Sequence, residues 1–122
     1  MDVKLLHDGV PVTILGGPYV ADEAPTPAAI EFIASHISRL DEMRRFAAHR
    51  KLLRLYNKSW RDGNHPTIDK DEFVAKLANP RLVVYDEIGA AVMYFDDGDM
   101  FAGHTVEVGV NRGELTHAGI IG

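Results

Sequence analysis

The chain has 122 residues, of which 46% are hydrophobic, and 13 Lys or Arg against 18 Asp or Glu give a net charge of −5. That is an ordinary globular balance, and residues 1–122 are read as a single domain long enough to bury its own core. The absence of cysteine excludes disulfides, thiolate zinc sites and a cysteine nucleophile.

The first residues, MDVKLLHDGVPV, lack a basic start followed by a long apolar run, and no stretch approaches the roughly 18 apolar residues needed to cross a membrane. A soluble, cytoplasmic protein without membrane contact is expected. In chain order, VKLLHDGVPVTIL reads as two short strands joined at Asp8-Gly9, a hairpin turn signal. GGPYVADEAPTP, rich in Gly and Pro, reads as a loop. Thr26 then resembles an N-cap with Pro27 at the first helical position. Ile30, Ile33, Ile37 and Leu40 start an apolar stripe, which continues after a phase shift near 38–41 through Met43, Phe46, Ala47, Leu53, Tyr56 and Trp60. One kinked helix or two helices over 27–60 are expected, with Tyr56 and Trp60 in the core.

Gly63 and Pro66 end that helix. Asp69 and Glu72 then form a capping box, with Ile68 and Phe73 as a hydrophobic staple, for a short helix over about 70–77 closed by Asn79-Pro80. The last third changes period. RLVVYD, AAVMYF, TVEVGV and LTHAGII read as four strands, separated by EIG, DDGDMFAGH and NRGE. In the third of them Val106, Val108 and Val110 share one face, opposite Thr105, Glu107 and Gly109. The expected fold is α+β: an antiparallel sheet, made of an N-terminal hairpin and a C-terminal four-strand meander, covered on one face by two or three helices.

Several of these residues carry a resemblance. RFAAHRKLLRLYNKSW at 45–60, Glu72-Phe73, YFDDGDMFAGH at 94–104 and the closing Gly122 are together similar to an uncharacterised bacterial domain family. Its members show an FA-x-x-x-x-LL-x-L-x-N-x-x-W helix, an EF-containing short helix and an FDDGD-x-F-x-GH hairpin loop. The likeness covers about the C-terminal two thirds, and Ala102 departs from it where a large aromatic is expected. Members of the family occur near polymorphic toxin genes, so the resemblance implies an immunity role; it implies no catalytic residues.

The loop itself admits two chemistries. Asp96, Asp97 and Asp99 are hard oxygen ligands, and His104 is an acid, base or further ligand, yet an EF-hand spacing with its distal Glu is missing. Alternatively the aspartates bond to backbone amides of a rigid turn, Gly98 and Gly103 take special conformations, and Met100 or Phe101 folds back onto the core.

Eight of the Lys and Arg lie between Arg39 and Arg61, with Arg44, Lys51 and Lys58 at steps of seven. They read as a solvated outer face more readily than as a nucleic-acid surface, and the acidic C-terminal half, at −7 against +2 for residues 1–61, argues against nucleic acid. His36 and His49 are too far apart along a helix to share a metal, and no nucleophile elbow, phosphate loop or H-E-x-x-H spacing is present. No cofactor is expected.

These features favour a non-enzymatic domain that binds another protein. The sharper form is an immunity protein whose acidic surface, with Asp96, Asp97, Asp99, His104 and Glu107 as contacts, covers a cationic toxin. The alternative is a metal-dependent enzyme or sensor using Asp96, Asp97, Asp99 and His104.

Overall fold

A computed structural model describes residues 2–85 and 89–122. The N-terminal strands β1 (Val3–His7) and β2 (Val10–Ile14) pair antiparallel, with His7 opposite Val10. Their turn places Asp8 at φ 49° and Gly9 at φ 78°, the left-handed pair that a two-residue hairpin needs to match strand twist. The Gly-Pro stretch that follows holds a further two-residue ladder, β3 (Val20–Ala21) with β4 (Ala24–Pro25), too short to show as alternation in the sequence.

Helix α1 (Pro27–Ile37) begins as its sequence demands: Thr26 is extended, and its hydroxyl accepts the Ala29 N–H at 3.2 Å. Ile33 and Ile37 are buried, but Ile30 stays exposed. Helix α2 (Leu40–Ala47) follows a short break at Ser38 and Arg39 and buries Met43 and Ala47. A second break was not visible in the sequence. Within the widened turns Ala48–Leu52, Arg50 leaves helical geometry and Lys51 takes φ 77°, before the single turn α3 (Leu53–Leu55) and another widened turn, Tyr56–Trp60. The extra residue advances the apolar phase, so that Leu52 is buried and Leu53 only partly so.

Helix α4 (Lys70–Lys76) carries its full capping box: the Glu72 N–H donates to Asp69 Oδ1 at 2.9 Å, and the Asp69 N–H donates to Glu72 Oε1 at 3.3 Å. It ends at Leu77, and Asn79-Pro80 belongs to the next strand, β5 (Ala78–Val84), at an irregularity where Asn79 has φ 50°. Strands β6 (Ala90–Asp96), β7 (Thr105–Asn111) and β8 (Glu114–Ile121) complete the antiparallel meander. Between β5 and β6, Asp86, expected to end the first strand, and Glu87 and Ile88 of the expected connection lie outside the described residues.

The sheet order is β1-β2-β5-β6-β7-β8. The hairpin therefore joins the meander through β2 and β5, which run parallel with Val12, Thr13 and Ile14 beside Leu82, Val83 and Val84. A parallel pair needs a long crossover, and here it contains every helix. The helices pack on one face, where Val12, Ile14, Leu82, Val84, Met93, Phe95, Val106 and Val108 meet Ile33, Met43, Ala47 and Phe73 in one core. Each fully buried large apolar side chain contributes about 1.5–3 kcal/mol. Among the described residues, no helix is long and apolar enough to cross a membrane.

His36 is buried in this core at 4% exposure, against the Phe32 ring at 4.0 Å between centroids. Its Nδ1 donates to the Phe32 carbonyl oxygen at 2.7 Å, leaving Nε2 as an unprotonated nitrogen without a partner. Burial, aided by the Arg39 charge, lowers the imidazole below its ordinary value, although the Phe32 carbonyl opposes the shift.

Below about pH 6.5 the unfolded chain takes up a proton at His36 that the folded chain refuses, so stability falls as pH drops through that window, by up to about 1.4 kcal/mol per pH unit. Urea unfolding between pH 8 and pH 5 is expected to show a shallower acid loss in His36→Asn than in the parent chain. Lys51→Gly is expected to leave stability unchanged or raise it by up to about 1 kcal/mol, because glycine accepts φ 77° freely; the same change inside a regular helix costs about 1 kcal/mol.

Candidate functional site

The segment between β6 and β7 is built around one carboxylate. Asp97 is 4% exposed, and its Oδ1 accepts the Asp99 N–H at 2.9 Å while its Oδ2 accepts the Phe101 N–H at 2.8 Å and the Gly103 N–H at 3.0 Å. Two successive turns close around it, Met100 N–H to Asp97 O and His104 N–H to Phe101 O, both 3.1 Å. Asp99, Ala102, Gly98 and Gly103 all have positive φ. At Gly98 glycine is required twice over, since at φ 59° an added Cβ would lie 2.6 Å from the Lys76 carbonyl oxygen.

This wrapping drives Met100 and Phe101 inward. Phe101 is fully buried, with the rings of Tyr56, Trp60 and Phe73 around it at 6.1, 5.6 and 6.5 Å, all edge-on. Trp60 also meets the His104 ring edge-on at 5.7 Å. The His104 Nδ1 donates to the Phe101 carbonyl oxygen, and the ring lies against Gly122, where an added Cβ would come within 3.3 Å of Cδ2.

Behind the loop, Asn57 clamps the connector to α4. Its amide donates to the Ile68 carbonyl at 2.9 Å, and its oxygen accepts the Ile68 N–H at 3.0 Å. The result is a surface cleft of about 290 Å³ lined by Tyr56, Trp60, Asp62, His65, Lys76 and Asp99, among others. Trp60 was expected in the core; it remains 38% exposed because it ends its helical segment, at the rim of the aromatic cluster.

The five acidic and histidine candidates separate. Asp97 is internal, held by its three amides, and is not available at the surface. Asp96 accepts from Asn79 at 2.7 Å and from Arg81 at 2.9 Å, and these donors, Asn79 foremost, hold its carboxyl below the usual carboxylate range. Asp99 and His104 remain at the cleft and its rim. Glu107 lies on the helix-free face of the sheet, opposite Tyr94 in the strand register and 3.6 Å from His117. Burial, with Tyr85 and then Glu107, pushes the Tyr94 phenol up to about 12.

With Asp97 and Asp96 engaged by the protein itself, Asp99 and His104 do not assemble a metal centre. Among the described residues, no three side chains of the His, Cys, Asp or Glu type converge on a common point.

A family model described as an uncharacterized protein conserved in bacteria (DUF2262) matches residues 20–120, which takes in the loop, the aromatic cluster and helices α1 to α4 but not the N-terminal hairpin. No curated protein and no solved structure matches the chain.

Asp97→Asn removes the charge and one acceptor oxygen from three buried or part-buried amides. It is expected to cost about 2–3 kcal/mol in urea unfolding, whereas Asp99→Asn, exposed on the same loop, stays within about 0.5 kcal/mol.

Proposed function

The chain belongs to this uncharacterised bacterial family, and from that premise we propose that it is a non-enzymatic domain that acts by binding another protein. The observation that carries the reading is Trp60. A large aromatic side chain left 38% exposed, yet fixed in place by Phe101 and His104, is a preorganised anchor: a partner that covers it gains apolar burial without ordering a flexible group. Asp62, Asp99, His65 and Lys76 surround it in the same cleft and supply a polar rim.

The narrower reading is an immunity protein that neutralises a cognate toxin by direct contact. It is supported by the net charge of −5, concentrated beyond residue 61, and by exposed Asp62 and Asp99 beside the Trp60 anchor. Charges so placed speed the approach of a cationic partner and fix its orientation, while the aromatic anchor supplies most of the affinity. The wider likeness of the FDDGD loop and the helix ending in Trp60 to domains near toxin genes points the same way.

Affinity purification of the tagged chain from its own bacterium, under conditions in which neighbouring genes are expressed, is expected to recover one stoichiometric partner that is toxic alone and silenced by this chain. Trp60→Ala is expected to weaken that complex by about 2 kcal/mol, roughly thirtyfold in Kd. Raising salt from about 0.05 to 0.5 M should slow association. A partner whose binding is indifferent to both Trp60→Ala and Asp99→Lys removes this surface from the mechanism.

A further inference from the structure

The structure divides the basic stretch into occupied and unoccupied side chains. Arg39 pairs with Glu42, and Arg45 with Asp41 and Asp71. Arg44 turns inward, donating to the Leu77 carbonyl at 3.0 Å and lying over the Phe95 ring. Arg50 covers the Phe46 ring, and Arg61 bonds to the carbonyls of Asn57, Asp62 and His65. Lys51, Arg54 and Lys58 are exposed, and among the described residues none of them pairs with a carboxylate.

These three line one cleft of about 300 Å³ together with Leu55 and Ser59, and no acidic residue lines it. The break at Arg50 and Lys51 sets Arg44 apart from these three, which follow one another at three and four residues. On an unbroken helix Arg44, at seven-residue steps from Lys51 and Lys58, would share their face. The left-handed Lys51 and the widened turns on either side of α3 rotate the two halves, so that the half-buried Arg44 turns toward Leu77 and Phe95 while Lys51, Arg54 and Lys58 face outward. A non-glycine residue at φ 77° costs about 1–2 kcal/mol, and both such strain and widened helical turns concentrate at functional sites. Lys51 with Arg54, and Arg54 with Lys58, are also like-charge neighbours at three and four residues, a repulsion that an anion between them relieves.

We propose that this cleft binds the phosphate group of a small phosphorylated molecule. A phosphate dianion offers three acceptor oxygens and about two charges to three cationic side chains and the Ser59 hydroxyl, whereas a carboxylate offers two oxygens and one charge. The chain as a whole carries a net charge of −5 even with these three cations counted, which repels an extended polyanion, so the ligand is a small molecule and not a nucleic acid.

The probe is inorganic pyrophosphate, titrated into isotopically labelled protein at fixed ionic strength with amide NMR shifts as the readout. Saturable shifts confined to residues 51–59 are expected, with binding weakened at least about tenfold by Arg54→Gln and by Lys51→Gly, a change the backbone tolerates. Lys4→Gln, which removes an equal charge from strand β1, should leave affinity unchanged. Shifts reproduced by sodium chloride alone, equal weakening by Lys4→Gln, or tighter binding of a single-stranded oligonucleotide than of pyrophosphate would each overturn the proposal.

Discussion

One carboxylate organises the molecule's distinctive end. Asp97 gathers the amides of Asp99, Phe101 and Gly103, and in doing so reverses the chain tightly enough to return Phe101 to the core. Loops usually keep their polar backbone at the surface because burial strands N–H groups without partners. Here an internal acceptor removes that obstacle, and a loop side chain becomes the point on which Tyr56, Trp60 and Phe73 converge. The placement of Trp60, and with it the proposed binding surface, follows from that seat.

The helical crossover is shaped by a comparable trade. A straight helix from Leu40 to Trp60 could not place Met43 and Ala47 on the sheet and also set Leu52 in the core while Trp60 reaches Phe101. The break at Arg50 and Lys51 inserts the missing rotation at the expense of a left-handed lysine. Asn57 then fixes the far end by holding Ile68, just before the capping box of α4. One short segment thus presents Tyr56 and Trp60 to one cleft and Lys51, Arg54 and Lys58 to another.

The helix-free face of the sheet has its own logic. Gly109 lets the His117 imidazole lie across the strand, where an added Cβ would be 2.1 Å from Cε1 and would displace the ring. That packing, beside the Glu107 contact with His117 and the partly covered Tyr94, shields much of the sheet's centre without a second layer of helices.

The local signals in the sequence were sufficient for most of the fold. The Asp8-Gly9 turn, the Thr26-Pro27 start, the Asp69/Glu72 box and the alternation of Val106, Val108 and Val110 each depend on residues within a few positions of one another, and each appears where those residues place it. The rigid turn at DDGD was legible for the same reason. Which of its aspartates lies inside was not, because Asp96, Asp97 and Asp99 are chemically alike and only the closed backbone distinguishes the one that meets three amides. The parallel junction of β2 with β5, the left-handed Lys51, the exposure of Trp60 and the separation of Arg44 from the three outward cations are likewise tertiary decisions. Each balances local conformational cost against contacts between residues far apart in the chain, and periodicity along the sequence does not register such contacts.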